Sequence, residues 1–341
     1  MEIHEYGQTY DGRKVTSFTL KNADGVTLEL LDYGGKIRRL EVPGRDGKAE
    51  NVAMSLDFAK AGFGGSLVGR YANRIAGGRF VVDGVAYETP TNIAPDGMPA
   101  LLHGGSAGFH DKVWNAEPFA KDGDEGVVLT LTSPDGEGGF PGKLDVKVTY
   151  TLTADAVWRI VWEAKTDKAT PVNFTHHVYF NLSGEARRPV TDTLVTLAAD
   201  GYTPTGKGQI TTGEIVPVRG TDFDFTAPQA IAARMGGQYD HNWVLASQDG
   251  SLAFAAAAED AASGRRLETW TTEKGLQFYA GGALHDGLKD QFARPLFPFA
   301  GFAFETQAHP DSVNKPNWPN TVLRPGETFR SVTEYRFRTV G

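Results

Sequence analysis

Leu144-Asp-Val-Lys-Val-Thr-Tyr-Thr-Leu152, followed by Trp158-Arg-Ile-Val-Trp-Glu-Ala164, decides the fold class. In the first stretch Leu144, Val146, Val148, Tyr150 and Leu152 alternate with Asp145, Lys147, Thr149 and Thr151. A period of two places every apolar side chain on one face of a strand. In the second stretch Trp158, Ile160, Trp162 and Ala164 alternate with Arg159 and Glu163 in the same way. The two predict long, neighbouring antiparallel strands. Outward from them the chain is punctuated by turns. Asp-Gly recurs, at Asp24, Asp83 and Asp122 among other places. Between alternating runs it signals a hairpin, because both residues tolerate positive φ. Arg79-Phe-Val-Val-Asp83-Gly84-Val-Ala-Tyr-Glu88 predicts one such hairpin. Helical periodicity is scarce. Its best candidate is Thr226 to Met235, with Thr226 as a cap and Gly236-Gly237 as a stop, enough for two or three turns at most. The Ala-rich run Leu252 to Ala262 is bounded by turn signals and is expected to be a strand. With no internal repeat and no linker-like stretch, residues 1–341 are expected to form a single all-β domain, a large antiparallel β-sandwich with few short helices.

Composition narrows the chemistry. The chain has 341 residues, including 41 Gly and 18 Pro, and its length suffices for a large core without a staple. Cysteine is absent, which excludes disulfides, thiol nucleophiles and Cys-ligated zinc. A net charge of −8 argues against nucleic acid or an anionic membrane as partner. The opening Met1-Glu-Ile-His-Glu-Tyr6 is polar, and no run approaches the ~18 apolar residues of a membrane span. A cytoplasmic location is the default expectation, with a processed secreted chain left open. The glycine-rich run Ala61 to Gly69 fits neither the dinucleotide fingerprint nor the Walker spacing. Gly-x-Ser-x-Gly does not occur.

Histidine is more informative. His103 lies in Leu101-Leu-His-Gly-Gly105, where glycines allow backbone to approach a ligand closely. His176 and His177 are adjacent, so on a strand they point to opposite faces and only one enters a given pocket; Tyr179 shares the face of His177. His241 sits in Tyr239-Asp-His-Asn-Trp243. None of these has chelating spacing, so no metal is expected. Glu305 stands inside the apolar run Phe302-Ala-Phe-Glu-Thr306. An acid there is costly to bury and its pKa tends upward, toward the range of a general base. The loop Ala308 to Pro319 beside it is rich in proline and expected to be rigid. Asn73-Arg74 can hydrogen-bond a polyol. The sequons at Asn173 and Asn181 are assigned nothing. This inventory suits an uncharged sugar, whose hydroxyls meet Asp, Asn, Arg and His and whose C–H faces meet aromatic rings.

Gly69-Arg-Tyr-Ala-Asn-Arg-Ile75, Leu102-His-Gly-Gly105, Thr175-His-His-Val-Tyr-Phe-Asn-Leu182, Asp240-His-Asn242, Glu305-Thr-Gln307 with Pro310-Asp-Ser312, and Leu323-Arg-Pro-Gly-Glu-Thr-Phe329 together resemble the aldose 1-epimerases, or mutarotases. The matches run in family order from about residue 69 to 320, and the closing Leu323 to Phe329 also looks familial. The resemblance implies the large β-sandwich called a supersandwich. It also implies a cofactor-free isomerase that interconverts the α and β anomers of free aldohexoses such as galactose and glucose. It assigns Glu305 as general base and His177 as general acid. Asn73, Arg74, His103, Asp240 and Gln277 fall at sugar-holding positions, with Tyr179 beside them. Family members usually carry Asn-His-Ser where this chain has His176-His177-Val178. A monosaccharide is the implied partner, and monomer and homodimer are both open, since sheet edges can be capped or paired. Three other readings stay open: a non-catalytic sugar-binding protein, a hexose 6-phosphate epimerase, and a glycosidase using Glu305 and Asp240.

Overall fold

Strands Leu144–Leu152 and Val157–Thr166 pair antiparallel in the register the alternation requires, with Val148 opposite Trp162 and Tyr150 opposite Ile160. The computed structural model describes residues 1–57 and 62–340. The two strands lie within a nine-stranded antiparallel sheet. In spatial order it runs Asn115–Lys121, Asp124–Ser133, Leu144–Leu152, Val157–Thr166, Phe329–Thr339, Arg265–Thr271, Ala253–Asp260, Leu194–Leu197 and Gln229–Ala230. The Ala-rich run is a strand, as expected. Two five-stranded antiparallel sheets complete the sandwich. One is built from Glu2–Gln8, Lys14–Lys21, Thr27–Leu31, Ile37–Pro43 and Ala49–Asn51. The other orders Val216–Pro217, Ala199–Thr203, Asp240–Leu245, Gly275–Tyr279 and Ala303–Gln307. Apolar faces of all three sheets meet in one contiguous core that includes Phe18, Leu40, Trp158, Trp243, Phe304 and Phe337. Burial of that many large side chains, at roughly 1.5–3 kcal/mol each, is the main stabilising force.

The turn chemistry is as the sequence indicates. Strands Arg79–Val82 and Val85–Glu88 form the hairpin, and Asp83 and Gly84 both sit at positive φ, 51° and 79°. Asp122 and Gly123 do the same between Lys121 and Asp124, at 53° and 89°. Asn173 and Asn181, in the two sequons, are buried structural groups. The Asn181 amide donates to the carbonyls of Arg188 and Ala300 at 2.8 Å each, and that of Asn173 donates to those of Ala72 and Ala308.

The helix expected at Thr226 to Met235 does not form. Gln229 and Ala230 pair instead with Val195 and Leu194, and two 3-10 turns follow, Ile231–Ala233 and Met235–Gly237. Asp224 ties down the N–H of Thr226, buried Ile231 donates its N–H to Thr193, and Met235 sits at φ 51°. A helix of two or three turns is marginal by itself, so these pairings override it. Among the described residues no helix is long and apolar enough to cross a membrane.

Candidate active site

Register in the site-bearing sheet builds one wall. Asn242, Gln277 and Glu305 are directly opposite one another across three strands, with Asp240, Tyr279 and Ala303 in the next same-face row. Directly opposed residues share a face. A row of polar side chains therefore projects from an otherwise apolar sheet. The facing wall comes from loops. His177 follows the short strand Thr175–His176, whose partner is Leu67–Val68, and its backbone is fixed by a hydrogen bond to the Ser66 carbonyl. Asn73 and His103 hold each other. The His103 N–H donates to the Asn73 carbonyl at 3.0 Å, and the Asn73 N–H donates to His103 Nδ1 at 3.1 Å. Both residues take left-handed backbone, at φ 57° and 52°. Gly104 completes this turn at φ 78°, and a Cβ there would stand 2.1 Å from the Gly69 carbonyl oxygen. This is the physical reason for the His-Gly-Gly run.

These walls enclose a cavity of about 260 Å³ lined by Phe63, Asn73, Arg74, Leu102, His103, His177, Tyr179, Gln209, Asp240, Tyr279, Ala283 and Glu305. It lies just below the range typical of drug-sized ligands, about 300 Å³ upward, which suits one small ring. His177 Nε2 lies 3.5 Å from Glu305 Oε1, and His103 Nε2 lies 4.0 Å from Glu305 Oε2. Glu305 is only 2% exposed. Burial, reinforced by Asp240 and opposed by Arg74, raises its carboxyl well above the usual carboxylate range. Burial also depresses His177, to about 4, against the pull of its own backbone carbonyl and of Asp240. A buried acid pushed up and a buried imidazole pushed down approach each other in proton affinity, so a proton moves between them at little cost.

The ligand atoms of His103, His177 and Glu305 all lie within 4.8 Å of one another, close enough to hold a divalent ion. The His103 tautomer argues for proton exchange instead. Its Nδ1 accepts the Asn73 N–H, which puts the ring proton on Nε2, the atom that faces Glu305.

Every site residue expected from the sequence is in or behind this cavity. Gln277 stands behind the lining and donates to Asp240 Oδ1 at 2.7 Å, orienting that carboxylate. His176 points the other way, as alternation requires. Its ring packs against Trp158 and Tyr150, and its Nδ1 accepts the Val178 N–H at 3.2 Å. His241 packs against Phe223, outside the cavity. Asp311 in the proline-rich loop is a structural knot, accepting from the N–H of Ala76, from Asn314 and from Lys315.

Sequence reasoning missed Phe63, Gln209 and Tyr279. Phe63 lies in the glycine-rich run, whose first residue, Ala61, is outside the described residues. Its ring rests on His103 and His177, with centroids 4.5 and 5.1 Å away. Lys36 holds this segment in place. Its buried ammonium donates to the carbonyls of Gly62 and His110 and lies over the Tyr33 ring.

A family profile described as Aldose 1-epimerase matches residues 16–336. Galactose mutarotase of Rattus norvegicus is 39% identical over 335 residues, covering 96% of this chain and 95% of that protein. Aldose 1-epimerase of Escherichia coli K12 is 36% identical over 342 residues, covering 96% of each. The crystal structure of galactose 1-epimerase from Lactobacillus acidophilus superposes with a TM-score of 0.85 at 25% identity, covering 100% of this chain and 99% of that one. An aldose epimerase homologue from C. elegans has the same fold, with a TM-score of 0.86 at 24% identity over 95% of this chain and 99% of that one. With the profile spanning all but the ends of the sequence and relatives sharing more than a third of its residues over nearly their full length, the chain belongs to the aldose 1-epimerase family.

Proposed function

We propose that this chain is a mutarotase that speeds the interconversion of the α and β anomers of free aldohexoses, galactose and glucose among them, with no cofactor. The observation that carries the reading is the 3.5 Å approach of His177 Nε2 to Glu305 Oε1 inside a cavity of single-ring size. Anomer exchange requires a base at the C1 hydroxyl and an acid at the ring oxygen O5. Once the proton that Glu305 holds in the empty site has passed to His177, Glu305 takes the hydroxyl proton while His177 donates to O5. The C1–O5 bond breaks and leaves the open aldehyde. Rotation about C1–C2 presents the other carbonyl face, and the same two groups then reverse their roles as the ring closes. Each contributes about 10²–10⁴-fold. His103 donates from Nε2 to a sugar oxygen, Arg74 and Asp240 hold hydroxyls, and Phe63, Tyr179 and Tyr279 meet the C–H faces of the ring.

The one-domain reading is supported by the core that joins Phe18 to Phe337. A purely binding role is disfavoured because a buried carboxylate with a raised pKa carries a burial cost that recognition of hydroxyls alone does not require. A phosphorylated hexose is disfavoured by the lining charges: among the described residues Arg74 is the one Lys or Arg of the lining, against Asp240 and Glu305.

The test is polarimetry on freshly dissolved α-galactose and α-glucose. The expected result is equilibration far faster than in buffer, with the acceleration lost in Glu305→Gln while calorimetry still detects sugar binding. Equilibration at the buffer rate refutes the proposal.

A further inference from the structure

The rim of the cavity is closed by a tight loop between Thr205 and Thr211, which bridge each other. Three contacts pin it to other parts of the fold. Gly208 N–H donates to Asp96 Oδ2 at 3.2 Å, and a Cβ on Gly208 would stand 2.5 Å from that of Met98, so the loop is pressed flat against its neighbour. Thr211 Oγ1 donates to the Pro310 carbonyl at 2.9 Å. The pinning forces Gln209 into left-handed backbone at φ 58°, a conformation unfavourable for a residue with this side chain. Strained backbone of this kind persists where the surrounding structure over-determines it, often at ligand clamps. Here it aims the side chain inward. Gln209 Oε1 accepts from Arg74 Nη2, while Arg74 Nη1 donates to Asn73 Oδ1 at 3.3 Å. The guanidinium is thus held at both terminal nitrogens. The Gln209 amide nitrogen, at the mouth of the cavity, makes no hydrogen bond among the described residues and carries two donors.

We propose that Gln209 is a specificity-determining residue whose carbonyl fixes Arg74 and whose amide N–H donates to a sugar hydroxyl other than the one on C1. The inference rests on the mutarotase reading, since the C1 hydroxyl is taken to lie between Glu305 and His177. A neutral amide beside a cation already held from both ends suits a hydroxyl.

Gln209→Gly is the informative variant, because glycine accepts φ 58° without strain and removes only the side chain. Its thermal midpoint should stay within a few degrees of the parent's, relief of the strained backbone offsetting the hydrogen bond lost to Arg74. With galactose, KM should rise about 10-fold while kcat stays within about 3-fold, the pattern of lost ground-state and transition-state binding together. Monodeoxygalactoses then locate the contact. For the one sugar lacking the recognised hydroxyl the Gln209→Gly penalty should shrink to the part owed to the release of Arg74, while it persists in full for the others. Gln209→Glu keeps an acceptor for Arg74 but deletes the donors, so its KM should also rise. A Gln209→Glu variant with the parent KM, or a Gln209→Gly penalty equal across every deoxy sugar, overturns the proposal. If the parent shows no acceleration, the mutarotase reading fails by itself. The same variants measured by calorimetry with galactose then still decide the role of Gln209 through a 10-fold change in Kd. A parent chain that binds no sugar overturns both.

Discussion

His176→Asn should make the stability of this protein less sensitive to acid, by an amount the structure fixes. The His176 ring is 3% exposed and is enclosed by Trp158 and Tyr150, and its Nδ1 is occupied as an acceptor of the Val178 N–H. Burial drives its pKa from 6.5 down to about 3, against the pull of the Gly35 carbonyl. A base whose folded pKa is depressed stays neutral in the native state while the unfolded chain takes up the proton. Its contribution is therefore intact above pH 6.5 and is lost progressively as pH falls from 6.5 toward 3. One pKa unit corresponds to about 1.4 kcal/mol, so at pH 5 this one site costs the native state about 2 kcal/mol relative to pH 7. Asparagine carries no such titration. At pH 7 the variant should be less stable by roughly 1–2 kcal/mol, because the smaller side chain leaves space between two aromatic rings. By pH 5 that deficit should vanish or reverse. Urea unfolding followed by tryptophan fluorescence at pH 7, 6 and 5 measures both proteins under two-state conditions. A stability difference that does not change between pH 7 and pH 5 would falsify the argument.

The remaining predictions concern the site and its supports. Glu305→Gln should raise stability at pH 7 by roughly 1–3 kcal/mol while abolishing catalysis. Its folded pKa is raised, so the cost of the acid appears as pH climbs above 4.5, and the gain in the variant should disappear near pH 4 in the same urea series. Arg70 is buried, donating to the carbonyls of Ser133, Pro134, Pro141 and Gly142 and to Ser133 Oγ, and has no carboxylate partner among these contacts. Arg70→Met should cost about 3–5 kcal/mol by orphaning that set of acceptors, and a loss below 1 kcal/mol by calorimetry would contradict it. Gly104→Ala should lower kcat/KM for galactose by at least about 10-fold, because the new methyl displaces the turn that sets His103 against Asn73. An unaltered rate constant would show that this turn is not rigid.

The sequence made the large sheet legible because Leu144 to Ala164 alternates without interruption, and strands with one dry face can pair in only one register. Glu305 was legible for a different reason: an acid inside an apolar strand is conspicuous on cost alone. Spacing showed that only one of His176 and His177 could enter the pocket, because adjacent strand positions face opposite ways, and the resemblance at Tyr179-Phe180-Asn181 chose His177. Phe63 and Gln209 carried no such mark. Each reaches the cavity from a loop whose path is set by distant contacts, Lys36 in one case and Asp96 and Pro310 in the other. The failed helix at Thr226 has the same origin. Its local pattern was genuine, but partners far along the chain took its backbone.

The place of Phe329–Thr339 in the large sheet bears on how the protein is made. This strand lies between Val157–Thr166 and Arg265–Thr271, yet of the nine it is the last to leave the ribosome. Until it emerges, the four strands on one side and the four on the other expose unpaired edges of the kind that recruit foreign strands. Nascent chains thus await their own keystone, and chaperone demand should peak just before synthesis reaches it.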